Sequence, residues 1–384
     1  VKPGTLQNIA SIQVLRAIAA LMVVVHHLGV QVERLGANGW DAPILRSGVD
    51  LFFVISGFIM WVTSAQKPGL SGHRFFLERL TRIAPIYWVI TAFVVVVALL
   101  APRLASTTDL QMAHVLKSAL FIPAEHPVTG RMQPVLIPGW TLNMEMFFYF
   151  LFAMAVAFDR GSLQIRRALI ALLLGSVILA GLALKPTGVA GFYTNSIVAE
   201  FGFGIAIGVA YEYRALPKGG GWWVLILIGI AGLALDALYP AAGARRALVW
   251  GGPAALIVAG AVFGPAIHFK PLEHLGDWSY SLYLSHPIAL SAAGFVWRRA
   301  LSFAPIALFP VAAVAGAVVL AAIVYRWIEV PVTTAVRRLI VTARPLVASP
   351  TEMSDNHPVL SEAPGEATLG MAEVNGAPSS TVRP

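Results

Sequence analysis

Arg16 and the doublet His26-His27 bracket the first apolar segment of this chain, and every residue from Ala17 to Val25 is apolar. A guanidinium near the centre of a membrane helix costs about 2.5–3.5 kcal/mol on insertion scales. A group kept at that cost usually serves a site. On a helix, the step from Arg16 to His27 turns through about 20° net and rises about 16 Å. The two therefore share a face without touching, and they mark two ends of one polar path. His26 is turned well off that face, which makes His27 the better partner for Arg16.

Further ionisable groups fall inside or beside later apolar segments. Asp50 opens the second, in Ser47-Gly48-Val49-Asp50-Leu51-Phe52. Antiparallel helices joined by a short loop usually pack together, so Asp50 is expected to meet His27. An aspartate hydrogen-bonded to an imidazole sets its tautomer and supports the imidazolium, as a general base requires. A helix-capping aspartate is the other reading. Arg79 and Arg82, three apart, share a helical face. Forked guanidinium groups suit phosphate oxygens, although topological anchoring explains the charge equally well.

Glu145 and Tyr149, four apart in Trp140-Thr141-Leu142-Asn143-Met144-Glu145-Met146-Phe147-Phe148-Tyr149, stack on one face. Glu145, and Glu200 in a later segment, must face the bundle interior or a water-filled cavity. Ser281, Ser285 and His286 precede Pro287, which frees a carbonyl near residue 283. The serines are expected to bond their own helix backbone. The sequence holds no Gly-x-Ser-x-Gly elbow, Walker A loop or Gly-x-Gly-x-x-Gly fingerprint. It also lacks a histidine with aspartate five residues on, and a His/carboxylate cluster with metal spacing, so no metal is expected.

The elements that position these groups follow from composition. The chain has 384 residues, 58% hydrophobic and 12% charged, and its mean hydropathy is +0.75. Soluble domains are about one quarter charged, so an all-α polytopic membrane bundle is expected. Ten spans of helical length are read at residues 11–30, 48–64, 84–101, 140–158, 166–184, 196–213, 222–240, 247–264, 278–297 and 304–328. Residues 111–122 are too short and polar to span, and read as an interfacial or re-entrant helix. The first run holds Arg16 and lacks a small-residue cleavage site, so a retained span is expected rather than a signal peptide.

Cysteine is absent, which excludes disulfides and thiolate chemistry. The net charge of +8 lies in short loops beside apolar spans, which points to topology and anionic lipid rather than nucleic acid. Basic residues concentrate around Arg74–Arg82, which places both termini in the cytoplasm under the positive-inside rule. Residues 1–340 are expected to form the membrane domain, and the Pro-, Ser-, Glu- and Gly-rich residues 341–384 a disordered cytoplasmic tail.

Taken together, six segments in order resemble the acyltransferase-3 family of integral membrane proteins, which O-acylate bacterial carbohydrates. They are Leu15-Arg16-Ala17-Ile18-Ala19-Ala20 with His27, the run Gly48 to Phe58, and Arg74-Phe75 with Arg79 and Arg82. Trp140-Thr141-Leu142 with Glu145 follows, then Ser279-Tyr280-Ser281-Leu282-Tyr283-Leu284 with His286-Pro287, and Trp327-Ile328-Glu329-Val330-Pro331. The likeness leans toward exopolysaccharide, succinoglycan-type O-acetyltransferases. The resemblance implies an acyl-CoA donor, acetyl-CoA being the expected one, with a carbohydrate hydroxyl, free or polyprenyl-linked, as acceptor in the bacterial inner membrane. It implies functional roles for Arg16, His27, Asp50, Arg79, Arg82 and Glu145. In that scheme the arginines hold the CoA phosphates, and His27, oriented by Asp50, takes the acceptor proton or carries the acyl group. Glu145 orients the acceptor. A transporter of a polysaccharide precursor would also use intramembrane charges, but internal repeats are not seen. A non-catalytic assembly subunit would give no reason for those charges.

Overall fold

The computed structural model describes residues 10–37, 42–101, 110–213, 221–238 and 246–342. Among the described residues the regular structure is helical, with one isolated antiparallel bridge between Glu125 and Met132 and no strand. Contacts group Val1–Leu339 as one unit; of the second, Ile340–Pro384, only residues 340–342 are described, and they are helical. The expected disordered tail thus lies outside the described residues from 343 onward.

The helices are α1 (Ala10–Arg34), α2 (Gly48–Ala65), α3 (Gly72–Leu100), α4 (Met112–Ala119), α5 (Trp140–Phe158), α6 (Leu163–Leu184) and α7 (Gly188–Tyr193). There follow α8 (Val198–Glu212), α9 (Trp222–Leu238), α10 (Gly252–Phe263), α11 (Lys270–Asp277), α12 (Ser279–Ala300), α13 (Phe309–Val324) and α14 (Val330–Thr342). Single π turns, Ala247–Gly251 and Tyr325–Glu329, lead into α10 and α14. Each of the ten expected spans overlaps one of these helices, with residues 239–240 of the seventh outside the described residues. Among the described residues, seven helical stretches are long and apolar enough to cross a bilayer, and α9 and the α10 segment are shorter. Polar side chains and the terminal Arg298 and Arg299 mark α12 as the least lipid-like span. Within residues 111–122 lies the short helix α4, too short to span, as their length required.

Local signals set the ends. The Ser71 hydroxyl accepts from the Arg74 N–H at 3.3 Å and starts α3, and Ser162 does the same for α6 through Ile165. Such caps contribute about 1 kcal/mol each. Large side chains fill the interior, with Trp61, Phe58, Phe148, Phe152 and Phe201 fully buried. The outer faces are apolar too, as at Leu99, Leu172 and Leu179, each about two-thirds exposed. In water that surface would aggregate; in a bilayer lipid tails cover it.

At two points α2 and α8 approach without side chains between them. A Cβ on Gly57 would lie 2.1 Å from the Phe201 carbonyl oxygen, and one on Gly204 would lie 2.0 Å from that of Val54. Glycine on both sides therefore lets α2 and α8 meet backbone to backbone, the small-residue packing of membrane bundles.

Candidate active site

A cavity of about 840 Å³, its mouth included, opens between α1, α2, α3, α5 and α12. Arg16, Arg79, Arg82 and Glu145 line it, with Ser56, Tyr149, Tyr280 and Tyr283. Four of the six residues expected to act therefore converge on one chamber. Arg79 and Arg82 project from the same face of α3, as their spacing required. Arg79 Nη2 donates to Thr63 Oγ1 at 2.7 Å, and its guanidinium lies 5.6 Å from the centre of the Phe75 ring. Arg82 is exposed and makes no hydrogen bond among the described residues, so its donors remain open to a ligand.

Neighbouring polar groups hold the rest in place. Arg16 Nη1 donates to Gln13 Oε1 at 2.9 Å, and Gln13 Nε2 donates to Asp277 Oδ1 at 2.8 Å. Glu145 accepts from Ser56 Oγ at 2.9 Å and from the Tyr149 hydroxyl, so the expected i, i+4 pair forms. Across the chamber, Ser281 Oγ donates to Glu329 at 2.5 Å, while Ser285 Oγ bonds the Ser281 carbonyl at 2.7 Å. Ser285 thus satisfies its own helix, and Ser281 ties α12 to the π turn. Tyr283 hydroxyl lies 2.8 Å from Thr141 Oγ1.

The expected pairing of His27 with Asp50 is not made. Asp50 is fully buried and accepts from Arg246 at both oxygens, from Nε at 3.1 Å and Nη2 at 2.9 Å. Glu200, also fully buried, sits beside this ion pair. The reason lies in the register of α1 and α2. A Cβ on Gly48 would lie 2.5 Å from the Ala19 carbonyl oxygen, so α2 begins beside Ala19 rather than His27. Eight residues separate those positions, about 12 Å along the axis. The 3₁₀ turn Pro43–Ser47 leads directly into α2.

His27 instead belongs to a histidine cluster. Its Nδ1 donates to the Val23 carbonyl at 2.8 Å, which leaves Nε2 as the acceptor of the neutral ring. The ring centre lies 5.1 Å from that of His26 and 4.9 Å from that of His286. His286 Nδ1 bonds the Tyr283 carbonyl at 2.7 Å, one turn before Pro287. Tyr283, which lines the cavity, lies 6.0 Å from the His286 ring. His27 does not line the chamber itself, and Tyr283 with His286 connects the two.

Sequence reasoning passed over Gln13, Arg246 and the role of His286. Gln13 and Arg16, three apart, carried a signal in their spacing. Arg246 carried none, being one loop arginine among several.

A helical bundle with arginines and a carboxylate around one chamber, and a histidine cluster beside it, fits a membrane acyltransferase when set beside known proteins. Residues 9–326 match the acyltransferase domain of the acyltransferase-3 family, and the chain belongs to that family. It is an integral membrane O-acyltransferase. It is 35% identical over 321 residues to the exopolysaccharide production protein ExoZ of Rhizobium meliloti (strain 1021), a match covering 80% of this chain and 95% of that one. No solved structure matches it.

Proposed function

We propose that the protein moves an acetyl group from acetyl-CoA to a hydroxyl of an exported carbohydrate. The acceptor is an exopolysaccharide or lipopolysaccharide unit, carried on a polyprenyl lipid or already polymerised. The site operates in the bacterial inner membrane with both termini in the cytoplasm. The observation that carries this reading is the convergence of Arg16, Arg79, Arg82 and Glu145 on one cavity. Three guanidinium groups there suit the phosphates of CoA. The relative named for exopolysaccharide production supports the choice of acceptor.

In this scheme Arg79 and Arg82 hold the nucleotide end, and the pantetheine arm runs past Arg16 toward His27. The offset from Arg16 to His27 on α1 is about 16 Å, a span that an extended pantetheine covers. His27 Nε2 takes the proton of the sugar hydroxyl as its oxygen attacks the thioester carbonyl. The C–O bond forms, the C–S bond breaks, and the departing thiolate recovers the proton from His27. Glu145, held by Ser56 and Tyr149, orients the acceptor. Asp50 acts through Arg246, keeping a cation at the outer end of α2.

Deleting the gene in its host and measuring ester-linked acetate on the purified surface polysaccharides tests the proposal. Acetate is expected to disappear, to return with the wild-type gene, and to stay absent with His27→Ala although that variant inserts normally. Unchanged acetate in the deletion strain, or full restoration by His27→Ala, would overturn it.

A further inference from the structure

Removing Asp50 from His27 leaves a chemical question. A general base becomes a cation as it works, and a cation inside a bundle needs a partner. Among the described residues, no carboxylate hydrogen-bonds His27 or His286. The group that stands beside His27 is His286, at 4.9 Å between ring centres. We propose that His286 is the positioning partner of His27: a buried imidazole whose Nε2 shares the proton that His27 takes up. This rests on the acyl-transfer reading above.

Three observations carry it. First, both rings have the same tautomer imposed by their own helices. Nδ1 of each donates to a backbone carbonyl, Val23 for His27 and Tyr283 for His286, so each offers Nε2 as an acceptor. Two neutral acceptors in adjacent rings gain nothing from each other at rest. Once His27 carries the acceptor's proton, its Nε2–H has a partner in the second ring. Second, His286 is fully buried and its Nε2 has no hydrogen-bond partner. A buried unpaired acceptor costs about 1–3 kcal/mol. Proton uptake at the neighbouring ring satisfies it. Third, the two rings differ in access. His27 is half-buried and His286 is closed off, so one imidazole meets substrate and the other backs it.

The remaining titratable groups at the pair are His26 on α1, 5.1 Å from His27, and Tyr283 on α12, 6.0 Å from His286. Neither is a carboxylate that would take the role instead. The proton balance is simple. One proton leaves the sugar hydroxyl, resides between the two Nε2 atoms, and joins the CoA thiolate as the C–S bond breaks. Pro287 completes the device, because its missing N–H leaves the Tyr283 carbonyl free to accept His286 Nδ1.

Two substitutions separate the ring's two nitrogens. His286→Asn retains a donor where Nδ1 stands and removes the Nε2 acceptor. His286→Gln places an amide oxygen where Nε2 stands and gives up the Nδ1 donor. Purified full-length protein would be assayed with radiolabelled acetyl-CoA and the host's surface polysaccharide, stripped of its esters by mild alkali. For His286→Asn, kcat is expected to fall about 10- to 100-fold, in keeping with loss of support to a general base. KM for acetyl-CoA should stay within about twofold, and the acid limb of the kcat profile should move to lower pH. His286→Gln should recover part of the rate.

Wild-type kcat with an unmoved acid limb in His286→Asn would overturn the proposal, and so would equal losses in both variants with an unmoved limb. If His286→Asn does not accumulate, His286→Gln and His286→Ala replace the comparison, and equal activity of those two overturns it. Loss of the whole reading looks different: His27→Ala would then retain transfer, or the wild-type protein would show none.

Discussion

Replacing Arg246 by Met tests the polar core at the start of α2. The substitution keeps an apolar stem against Trp250, whose ring centre lies 4.7 Å from the guanidinium carbon. It strands Asp50 and Glu200, both with no exposed surface. Breaking a buried pair by removing one partner costs about 3–5 kcal/mol. Arg246 is 29% exposed, so part of its attraction to Asp50 is already screened, and the low end applies. A loss of about 3 kcal/mol lowers the folded-to-unfolded ratio roughly 150-fold. Unfolding in mixed micelles, followed by tryptophan fluorescence, measures it. The double variant Asp50→Asn with Arg246→Met removes both charges and should recover about 2 kcal/mol of that loss, an interaction energy typical of contacting residues. A single-variant cost below about 1 kcal/mol, or a double variant at the sum of the singles, would refute the assignment of Arg246 as the counter-ion of Asp50.

Two further outcomes are expected. Arg82→Ala should weaken acyl-CoA binding about tenfold or more, since hydrogen bonds to charged groups contribute roughly 1.5–3 kcal/mol; equilibrium binding of CoA to the purified protein reads this, and unchanged affinity would remove Arg82 from the donor site. Gly204→Val should prevent normal packing of α2 on α8, because even the first added carbon lies 2.0 Å from the Val54 carbonyl oxygen. The protein would then fail to accumulate in membranes or unfold at markedly lower denaturant; near-normal accumulation and stability would contradict so close an approach.

The bundle was legible because apolar length needs no tertiary context. Each of the ten spans read from hydropathy overlaps a helix. The contact of Glu145 with Tyr149 was legible for a similar reason, since four-residue spacing alone puts Tyr149 within reach, while its bond to Ser56, 89 positions away, was not. Arg79 and Arg82 were placed together by the same periodicity. What periodicity cannot supply is the axial register between two helices. The expected Asp50–His27 contact required α2 to start level with His27, whereas α2 starts beside Ala19. Contacts over long separations were equally hidden. The pairing of Asp50 with Arg246 joins residues 196 positions apart, and no local pattern marks either as the other's counter-ion. His286 was visible as an intramembrane histidine beside a proline, but its neighbour on α1 was not.

The glycine seam between α2 and α8 also bears on how large molecules enter. Where two backbones touch directly, no layer of side chains is left to change rotamer, so sliding one past the other would break contact along the whole seam. The two helices are thereby coupled into one rigid plank. That plank forms one wall of the chamber through Ser56 on α2. Under the proposed function, admission of a bulky acyl-CoA donor then falls to the facing wall of α3, α5 and α12. There the lining consists of long side chains, Arg79 held to Thr63, Tyr149 to Glu145 and Tyr280 to the Ile83 carbonyl, and such hydrogen bonds break and re-form without disturbing a backbone's own ladder.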